Sequence, residues 1–585
     1  MQQTSAVPAG RKPSLPQPAF PQPGPPQSAT AKSLPNGIVA LLPIAILLWL
    51  WDILRIAYNL TIDLVHVAKY FYRKIRHRGG TYVQHESIRR PEQLVHDPTR
   101  KTVIVVGGSF AGVSAAVQLA TDSRFQVILI EPKEFFEYTP GILRAMVAPY
   151  HHPELVAPLR FDNVQVIHGW AGDITPTTVT VTPVQPLNES SQGSPSNAEN
   201  PHPAQPLAPF TLRFDYLVLA YGTTYASPIK VTSTRGLFRE TRSSCMRAIA
   251  TELANKKTVM IVGAGLVGVE LAAEIAIVMP QVKVTLHSAL PTILPGMDPR
   301  VIEYCHNFLA RNGVEIKVNS HFNVNSYTPS ETEAFFPCVG VTPSPMTFHE
   351  SFVQHVESSG SSISRASASS SSRTEGARDR RLVVEPPAIS SKSQEEIVKR
   401  AAELGIMLPN RRLLAQPSQH VMGFTNIFAV GDCALYPIPM PLMAFTSEAE
   451  GHAVARSIAN LESGCSAVIF PQDYFHCEQP PMLCCISLGP YDGAIIFNQT
   501  MIFGRIAAYG KDFIEFSKVA SVRQNLIAEL IWAVGDPAAF AMSAVYNSTL
   551  LRFGGVKTFE WIAAGVCALG GAAIALLRLM RANKV

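Results

Sequence analysis

The chain lacks a cysteine pair at the two-residue spacing that is typical of thiol redox motifs. Its nine cysteines include no Cys-x-x-Cys arrangement, and residues 101–244 contain no cysteine at all. The nine are Cys245, Cys305, Cys338, Cys433, Cys465, Cys477, Cys484, Cys485 and Cys567. Since there is no secretory signal either, scattered reduced thiols are the expected state, and no metal site is predicted. A redox-active cysteine pair in the first part of the chain is excluded.

A strong charge of either sign is also missing. Lysine and arginine total 49 against 44 aspartates and glutamates, a net charge of +5 over 585 residues. This slight excess, without any motif that interleaves aromatic and basic residues, argues against nucleic acid as a partner. The hydrophobic content of 47% is enough for several cores, so three or more domains are expected.

Two glycine-rich turns follow apolar strands, in KTVIVVGGSFAGVSAAVQLA (101–120) and in KTVMIVGAGLVGVELAAEIA (257–276). In a dinucleotide-binding turn, glycines allow a tight bend and a close approach of backbone amides to the pyrophosphate, which the helix N-terminus also attracts. The pair predicts an α/β fold with two Rossmann-like domains, one for FAD and one for NADH or NADPH. Two redox carriers on one chain imply electron transfer between them. The alternative is a pair of strand–helix turns that bind no nucleotide.

The first turn has Gly107 and Gly112 at the outer glycine positions and Ser109 at the middle one. A serine there either weakens phosphate binding or donates a hydrogen bond to the phosphate. Glu131, at the end of the next strand, has the position of an acid that holds a ribose hydroxyl. In the second turn all three positions are glycines, namely Gly263, Gly265 and Gly268. Glu270 follows on the helix and is a candidate for orienting the nicotinamide or its ribose, with a helix-surface acid as the alternative.

Two later strand ends carry information about the nucleotides. The strand after the second turn ends in His287 and Ser288, without a carboxylate, so a 2′-phosphate is not repelled and NADPH is expected beside NADH. The strand in NIFAVGDCA (426–434) leads to Asp432, whose carboxylate suits a ribityl hydroxyl of a flavin. A strand-end aspartate that caps the following helix is the alternative.

Apolar segments at both ends predict membrane attachment. Residues 1–36, rich in proline, glutamine and serine, are expected to be a disordered leader. The uninterrupted apolar run 37–51 is short for a full span, but the segment 37–60 is predicted to be a membrane anchor, with a core helix as the alternative. The basic linker 61–100 then favours a catalytic body on the cytosolic side. Apolar helices are expected at 524–585, with a second anchor at 561–577.

The remaining chain divides by composition. The predicted segments are a first FAD-binding part at 101–255 with a disordered insert at 183–209, an NAD(P)H-binding domain at 256–345, a Ser-rich disordered insert at 346–399, a second FAD-binding part at 400–461 and a small C-terminal β-rich region at 462–523. The flavin domain is thus expected to be interrupted by the nicotinamide nucleotide domain.

Several segments are more specific than the glycine turns: LRAMV (143–147), VTLHS (284–288), CVGVTPS (338–344), NIFAVGDCA and SLGPYDGAIIFNQTMIFGR (487–505). With them the chain resembles the ferroptosis-suppressor or apoptosis-inducing-factor-2-like quinone reductases, relatives of type II NADH dehydrogenases. The resemblance covers roughly 101–523 apart from the two inserts. It implies a membrane flavoenzyme that uses FAD to pass electrons from NAD(P)H to a lipid quinone such as ubiquinone, maintaining a radical-trapping quinol.

The resemblance also assigns residues to the flavin site. It implies that the pyrophosphate is cradled by Gly107, Gly108, Ser109, Phe110 and Ala111. Arg144 and Lys230 would lie near the flavin, Ala171 would line it through its backbone, and Asp432 would hold the ribityl chain. Glu448, on the helix after this aspartate, is a candidate for the quinone side. The alternatives are ion-paired or solvated surface charges for Arg144, Lys230 and Glu448.

Two departures from the family affect its attachment and its site. The chain starts Met-Gln-Gln rather than Met-Gly, which predicts attachment through apolar segments instead of N-myristoylation. A lysine that the family often carries after Gly-Asp-Cys-Ala is absent around residues 440–442.

The expected location is a membrane surface with the catalytic domain facing the cytosol, on the mitochondrial outer membrane, the endoplasmic reticulum or lipid droplets. A homodimer is left open. Two other readings also stay open: a respiratory type II NADH dehydrogenase, and a non-enzymatic, redox-gated apoptosis effector.

Overall fold

The computed structural model describes residues 42–77, 88–185, 207–225, 229–231, 234–363, 381–388, 390–438, 440–476 and 480–553. The predicted leader, most of the first insert and the anchor predicted at 561–577 lie outside these residues. Residues 45–585 belong to one unit of the chain, and residues 1–44 belong to another.

Helices and strands alternate through most of the described chain. In chain order the α-helices are α1 Leu42–His77, α2 Phe110–Leu119, α3 Ile142–Val147, α4 His152–Leu155, α5 Arg239–Ala254, α6 Leu266–Val278, α7 Pro299–Arg311, α8 Glu350–Ile363, α9 Gln394–Glu403, α10 Ala444–Leu461, α11 Gln472–Phe475, α12 Arg505–Val522 and α13 Leu526–Phe553. The strands are β1 Lys101–Val106, β2 Phe125–Ile130, β3 Phe135–Glu137, β4 Val156–Pro158, β5 Val164–Ile167, β6 Gly169–Gly172, β7 Thr178–Pro183, β8 Phe210–Arg213, β9 Tyr216–Leu219, β10 Thr223–Thr224, β11 Thr258–Val262, β12 Lys283–His287, β13 Glu315–Lys317, β14 Glu333–Pro337, β15 Thr342–Pro343, β16 Val383–Val384, β17 Leu413–Leu414, β18 Ile427–Ala429, β19 Ala434–Leu435, β20 Leu483–Ser487, β21 Gly493–Phe497 and β22 Thr500–Phe503.

The first parallel sheet has the strand order β18-β9-β1-β2-β5. Its strands are apolar runs that are buried on both faces, as expected when helices cover a parallel sheet on both sides. Strand β18 comes after the second glycine turn in sequence, yet it pairs in parallel with β9, with Ala429 opposite Leu219. This sheet is therefore built from chain on both sides of residues 256–345, and it brings Asp432 to the edge where the first glycine turn lies.

A second parallel sheet, with the order β13-β12-β11-β14, carries the second glycine turn. Strand β11 ends at Val262, directly before that turn, and α6 follows it. The short strands β10 and β15 pair antiparallel where the chain passes between the two sheets, with Thr223 opposite Pro343. The α/β fold with parallel sheets predicted from the two turns is thus confirmed.

The C-terminal region contains more helix than predicted. Strands β20, β21 and β22 form the antiparallel sheet expected from the alternating pattern. The second half of the segment, which begins at Arg505, forms α12 instead of strands. Its polar residues Lys511, Asp512 and Glu515 are buried because they pair with other domains, so the helix has no simple apolar stripe that the sequence could reveal.

The prediction of a disordered Ser-rich insert at 346–399 is wrong near both of its ends. Helix α8 buries Phe352, whose ring stacks on Phe424 with a centroid separation of 4.4 Å, and β16 pairs with β8. Ser393 caps α9 through a capping box with Glu396. A few apolar and capping residues are therefore enough to order these ends despite the high serine content. Residues 364–380 lie outside the described chain.

The predicted boundary between an anchor at 37–60 and a linker at 61–100 is also wrong, because α1 runs unbroken from Leu42 to His77. Its buried positions are Ile56, Asp63 and Lys74, which face the body of the protein. Among the described residues, one helical stretch is long and apolar enough to cross a membrane by length and composition, at Leu526–Ser548 in α13. It lies upstream of the segment that the sequence pattern favoured.

Candidate nucleotide and electron-transfer site

The glycines of the first turn are there because side chains would collide with the backbone. Gly107 has φ of +109°, and a Cβ on it would lie 2.2 Å from the Ala220 carbonyl oxygen. A Cβ on Gly112 would lie 1.8 Å from the carbonyl oxygen of Gly107. Ser109, the N-cap of α2, has extended backbone, and its side chain makes no capping hydrogen bond. The first turn of α2 and this hydroxyl form a cradle that fits a pyrophosphate.

The carboxylate of Glu131 contacts the same turn. Its Oε2 accepts a hydrogen bond from the Gly108 amide at 2.6 Å, and its Oε1 accepts one from the Lys133 amide at 3.1 Å. A Cβ on Gly108 would lie 2.8 Å from the Glu131 Cγ, so the glycine also makes room for this side chain. The carboxylate predicted for a ribose hydroxyl therefore lies against the phosphate cradle.

The second turn separates the two roles of its glycines. Cβ atoms on Gly263 and Gly268 would collide with the Cys338 and Gly263 carbonyl oxygens, at 2.5 and 1.9 Å. Around Gly265, in contrast, no atom lies within 4 Å of the position of a Cβ. Gly263 and Gly268 are therefore required for the packing of the chain, whereas Gly265 leaves its backbone open for a pyrophosphate to approach.

Equivalent hydrogen bonds align the two turns residue by residue. The Gly107 amide donates to the Ile130 carbonyl oxygen and the Gly263 amide donates to that of His287, both at 2.9 Å. Ser288 therefore occupies the position that Glu131 has in the first domain. Its hydroxyl donates to the Thr292 carbonyl oxygen at 2.9 Å, and the adjacent strand β13 presents Lys317 opposite His287.

Asp432 and Lys230 come together through Thr223. The Thr223 hydroxyl donates to Asp432 Oδ2 at 2.7 Å, and Lys230 Nζ donates to the Thr223 carbonyl oxygen at 2.5 Å and lies 3.1 Å from its hydroxyl. Burial lowers the pKa of Lys230, against the attraction of Asp432. Two residues that were singled out on different grounds therefore belong to one hydrogen-bonded group beside the first sheet. Ala171, half-buried in β6, packs against a hydrophobic core that includes strands of the first sheet.

Glu450 was not identified from the sequence, although it lies at the same turn. Its carboxylate is buried and accepts hydrogen bonds from the Gly431 amide at 2.5 Å and from the Tyr436 hydroxyl at 3.0 Å. The only sequence feature that could have indicated this buried position is the small residue Gly451 next to Glu450. Gly451 lets α10 approach α2, because a Cβ on it would lie 2.2 Å from the Ala111 carbonyl oxygen.

Arg144 has partners other than the flavin that the resemblance implied. Its guanidinium forms ion pairs with Glu274 at 3.2 Å and Asp512 at 3.1 Å, and it donates to Ser487 Oγ and the Gly489 carbonyl oxygen, both at 3.1 Å. These partners belong to α6, to α12, to the end of β20 and to the loop that follows β20. Arg144 therefore joins the flavin domain to the other two parts of the molecule.

Glu270 also lies at this junction. Burial raises the pKa of its carboxyl group, and Lys511, 3.5 Å away, acts in the opposite direction. Its Oε1 accepts a hydrogen bond from the Ser487 amide at 2.6 Å. The structure places Glu270 against the C-terminal sheet and helix.

Glu448 is likewise paired. Its carboxylate lies 2.7 Å from Lys518 Nζ, which is 3.6 Å from the centroid of the Trp532 ring and 3.6 Å from Asp536 Oδ2. This group links α10, α12 and α13. The alternative of a solvated surface charge does not hold for Glu448, because its side chain is only 17% exposed and is ion-paired.

Thiol chemistry finds little support in the site. The seven cysteines of the described chain are unbridged. The described residues also contain no group of three or more histidine, cysteine or acidic side chains that could hold a metal ion. Cys338 lies against Gly263, but burial raises the pKa of its thiol to about 12, so it is protonated near neutral pH.

The family described as pyridine nucleotide-disulphide oxidoreductase matches residues 101–354, the span that holds both glycine turns. Together with the fold, this match defines a flavoenzyme, an FAD-dependent NAD(P)H oxidoreductase. The glycine cradles described above fit both cofactors.

The relatives narrow the class further. Apoptosis-inducing factor homolog B of Dictyostelium discoideum is 23% identical over 426 residues, covering 70% of this chain and 92% of that protein. Ferroptosis suppressor protein 1 of Xenopus tropicalis is 24% identical over 400 residues, covering 68% and 88%. A type II NADH:quinone oxidoreductase of Staphylococcus aureus is 22% identical over 460 residues, covering 72% and 96%. The resemblance to apoptosis-inducing-factor-like, ferroptosis-suppressor and type II NADH:quinone oxidoreductase proteins is confirmed.

Proposed function

We propose that the protein passes a hydride from NAD(P)H to FAD, and from there two electrons to a lipid quinone such as ubiquinone at a membrane surface. The observation that carries the proposal is the combination of two nucleotide turns with a flavin-side segment, 101–244, that contains no cysteine. Without a thiol relay there, electrons leave the flavin directly for a small acceptor. The relative named as an NADH:quinone oxidoreductase supports a quinone as that acceptor.

FAD supplies the hydride-accepting chemistry when bound, and the protein binds and orients it. The backbone amides at the start of α2, with the Ser109 hydroxyl, bind the pyrophosphate, and Glu131 accepts a hydrogen bond from a ribose hydroxyl. Asp432 accepts one from the ribityl chain, and Lys230 holds Thr223 and thereby Asp432 in place.

Arg144 and Glu270 serve this reaction as positioning residues. Both lie at the junction of α3, α6, α12 and the C-terminal sheet, and their charges are paired there. By fixing the nicotinamide nucleotide domain against the flavin domain, they set the distance over which the hydride moves. We propose this role in place of direct contact with either nucleotide.

Membrane docking is supported by helix α1, which exposes large apolar side chains and buries charged ones. In a water-soluble helix the apolar side chains face the protein, but α1 buries Asp63 and Lys74 and exposes Trp51, Leu54 and Tyr58 at 66%, 66% and 67%. Lys74 pairs with Glu529 of α13 at 2.6 Å, and Asp63 lies 3.3 Å from Arg456. Polar contacts thus hold α1 to the body while its apolar face points outward.

Helix α13 continues this face. It exposes large apolar side chains at Ile527, Leu530 and Val534, and its candidate span is only 22% buried within the protein. We propose that α1 and α13 lie together on a bilayer, so that a quinone enters from the lipid toward Glu448 and Lys518. Ser447, next to Glu448, lies beside the turn that carries Asp432. Lys518 is then placed to supply a proton during quinol formation.

Purified full-length protein in vesicles that contain a short-chain quinone tests the activity. We expect one quinol formed per NADH oxidised. Gly268→Ala should stop NADH oxidation while FAD stays bound, because its Cβ would lie 1.9 Å from the Gly263 carbonyl oxygen in the second turn only. Protein that binds FAD but oxidises no NADH with any quinone overturns the proposal and favours the redox-gated effector.

The physiological role that we propose is antioxidant, with quinol maintained in a membrane that the catalytic domain faces from the cytosol. The relative named as a ferroptosis suppressor supports this role. Vesicles exposed to a radical initiator should resist lipid peroxidation only when protein, NADH and quinone are all present. A respiratory dehydrogenase would share the chemistry, so cell fractionation that finds the protein on the matrix side of the inner mitochondrial membrane would favour that reading.

A further inference from the structure

A buried carboxylate lies directly behind the turn that carries Asp432. Glu450, on α10, is 3% exposed, and its Oε2 accepts hydrogen bonds from the Gly431 amide at 2.5 Å and from the Tyr436 hydroxyl at 3.0 Å. Gly431 has φ of +73°, a conformation that other residues rarely adopt. Because a glycine backbone can adopt many other conformations, the hydrogen bond from the Gly431 amide to this carboxylate helps to fix the turn.

The backbone of Glu450 is itself held in place. Its carbonyl oxygen accepts a hydrogen bond from Gln419 Nε2 at 3.0 Å. The next residue, Gly451, packs so closely on α2 that a Cβ would lie 2.2 Å from the Ala111 carbonyl oxygen. A change at the carboxylate therefore acts on the turn of Gly431 and Asp432 and not on the position of the helix.

We propose that Glu450 is a positioning residue for FAD. Its carboxylate holds Asp432 firmly in place for the ribityl chain when it is ionised, and weakly when it is protonated. The proposal rests on the proposed function, because it takes Asp432 as a ligand of FAD. A carboxylate accepts stronger hydrogen bonds than a neutral carboxyl group, so the ionised form holds the Gly431 amide and the Tyr436 hydroxyl more tightly.

The groups that face Glu450 place this change near neutral pH. Burial has the largest effect and raises the pKa of its carboxyl group, whereas the hydrogen bonds from the Gly431 amide and the Tyr436 hydroxyl lower this pKa. The charge of Asp432 raises the pKa and that of Arg412 lowers it, so that the pKa of Glu450 is about 7. Because FAD favours the ionised form, its affinity should fall as the pH decreases through this value. The loss expected between pH 8 and pH 6 is about tenfold, the difference between a charge-assisted and a neutral hydrogen bond.

The test measures FAD dissociation from the full-length holoprotein by flavin fluorescence after dilution, from pH 6 to pH 8.5. The unaltered protein should bind FAD about tenfold more weakly at the acid end. Glu450→Gln should bind with the weak affinity at every pH, because its amide mimics the neutral acid. Glu462→Gln is the control; Glu462 caps the C-terminus of the same helix, its carboxylate accepts a hydrogen bond from the Tyr216 hydroxyl at 2.7 Å, and the variant should keep the pH dependence. A Glu450→Gln protein with unchanged pH dependence overturns the proposal.

Tyr436→Phe provides a second variant in case Glu450→Gln folds poorly. It removes one donor to the carboxylate, so the midpoint of the pH dependence should move to higher pH; an unmoved midpoint counts against Glu450.

Asp432→Asn separates this proposal from the proposed function. If Asp432→Asn binds FAD as tightly as the unaltered protein, the ribityl contact is wrong. If it binds weakly while Glu450→Gln keeps the pH dependence, only the inference about Glu450 fails.

Discussion

At the scale of single residues, the two glycine turns differ mainly in the middle position, and the difference separates packing from binding. The outer glycines, Gly107 with Gly112 and Gly263 with Gly268, are required because the backbone passes within van der Waals contact of them. The middle position faces open space at Gly265, and the first turn has Ser109 there. A change at an outer position should therefore disrupt the turn, and a change at the middle position should not.

Gly112→Ala should abolish FAD binding, since its Cβ would lie 1.8 Å from the Gly107 carbonyl oxygen. Ser109→Ala, a matched change at the middle position, should retain FAD with an affinity within about tenfold of the original, the contribution of one hydrogen bond. The ratio of flavin to protein absorbance after purification measures both. Stoichiometric FAD on Gly112→Ala contradicts the assigned cradle.

The equivalence of Ser288 and Glu131 leads to a prediction about nucleotide choice. Ser288→Asp places a carboxylate at the ribose position of the second domain, where it would repel a 2′-phosphate. The ratio of kcat/KM for NADPH to that for NADH should fall at least tenfold. Ala289→Asp, on the exposed neighbouring residue, is the control and should change the ratio little. An unchanged ratio in Ser288→Asp would show that the 2′-position lies elsewhere.

At the scale of elements, the sequence allowed prediction of the strands and turns better than of the long helices. Strands β1 and β11 are apolar runs followed at once by glycines, so both their type and their end are determined locally. Helix α1 could not be recognised as one element, because it buries Asp63 and Lys74 beside Ile56 while large apolar side chains are exposed on its other face. Helix α8 was missed because two buried aromatic contacts outweigh the serine content of its second half.

The outward face of α1 should determine attachment to lipid. Replacing Leu54, Tyr58 and Ile62 together with serine should reduce cosedimentation with vesicles at least tenfold, because each large side chain contributes about 1.5–3 kcal/mol on full burial. Serine at Ala57, Thr61 and Ala68, which are exposed on the same helix, is the matched control and should bind as before. Equal binding by both triple variants would exclude this face from the docking surface.

The contact between α12 and the flavin domain should make stability depend on pH. Burial lowers the pKa of His151, but hydrogen bonds to Glu154 and to Glu515, 2.7 Å away, raise it to about 9. The stabilising effect of the charged form is complete below the ordinary pKa of about 6.5 and is lost as the pH rises through 9. His151→Gln should lower the free energy of unfolding by about 2 kcal/mol at pH 6.5 and by much less at pH 10.

Thermal unfolding at several pH values measures this effect. His306→Gln, a change at an exposed residue of α7, is the control and should show no such trend. A difference between His151→Gln and the unaltered protein that grows with pH would contradict the assigned ion pair.

At the scale of the whole molecule, the sequence indicated the chemistry but not the arrangement that makes it work. The glycine turns and Asp432 were identifiable because the roles proposed for them depend on local sequence. The roles proposed for Arg144, Glu270 and Glu448 depend on partners in other elements of the chain, such as Asp512 for Arg144 and Lys518 for Glu448. Glu450 resembles any helical glutamate in sequence, and only its burial behind Gly431 distinguishes it.

The most direct test of electron transfer through the flavin is the visible absorbance of purified protein, followed without oxygen. We expect a flavin spectrum that bleaches within seconds of adding one equivalent of NADH and returns when a quinone is added, with no cysteine modified in the process. A colourless protein that cannot be reconstituted with FAD, or a flavin that NADH does not bleach, would contradict the central proposal.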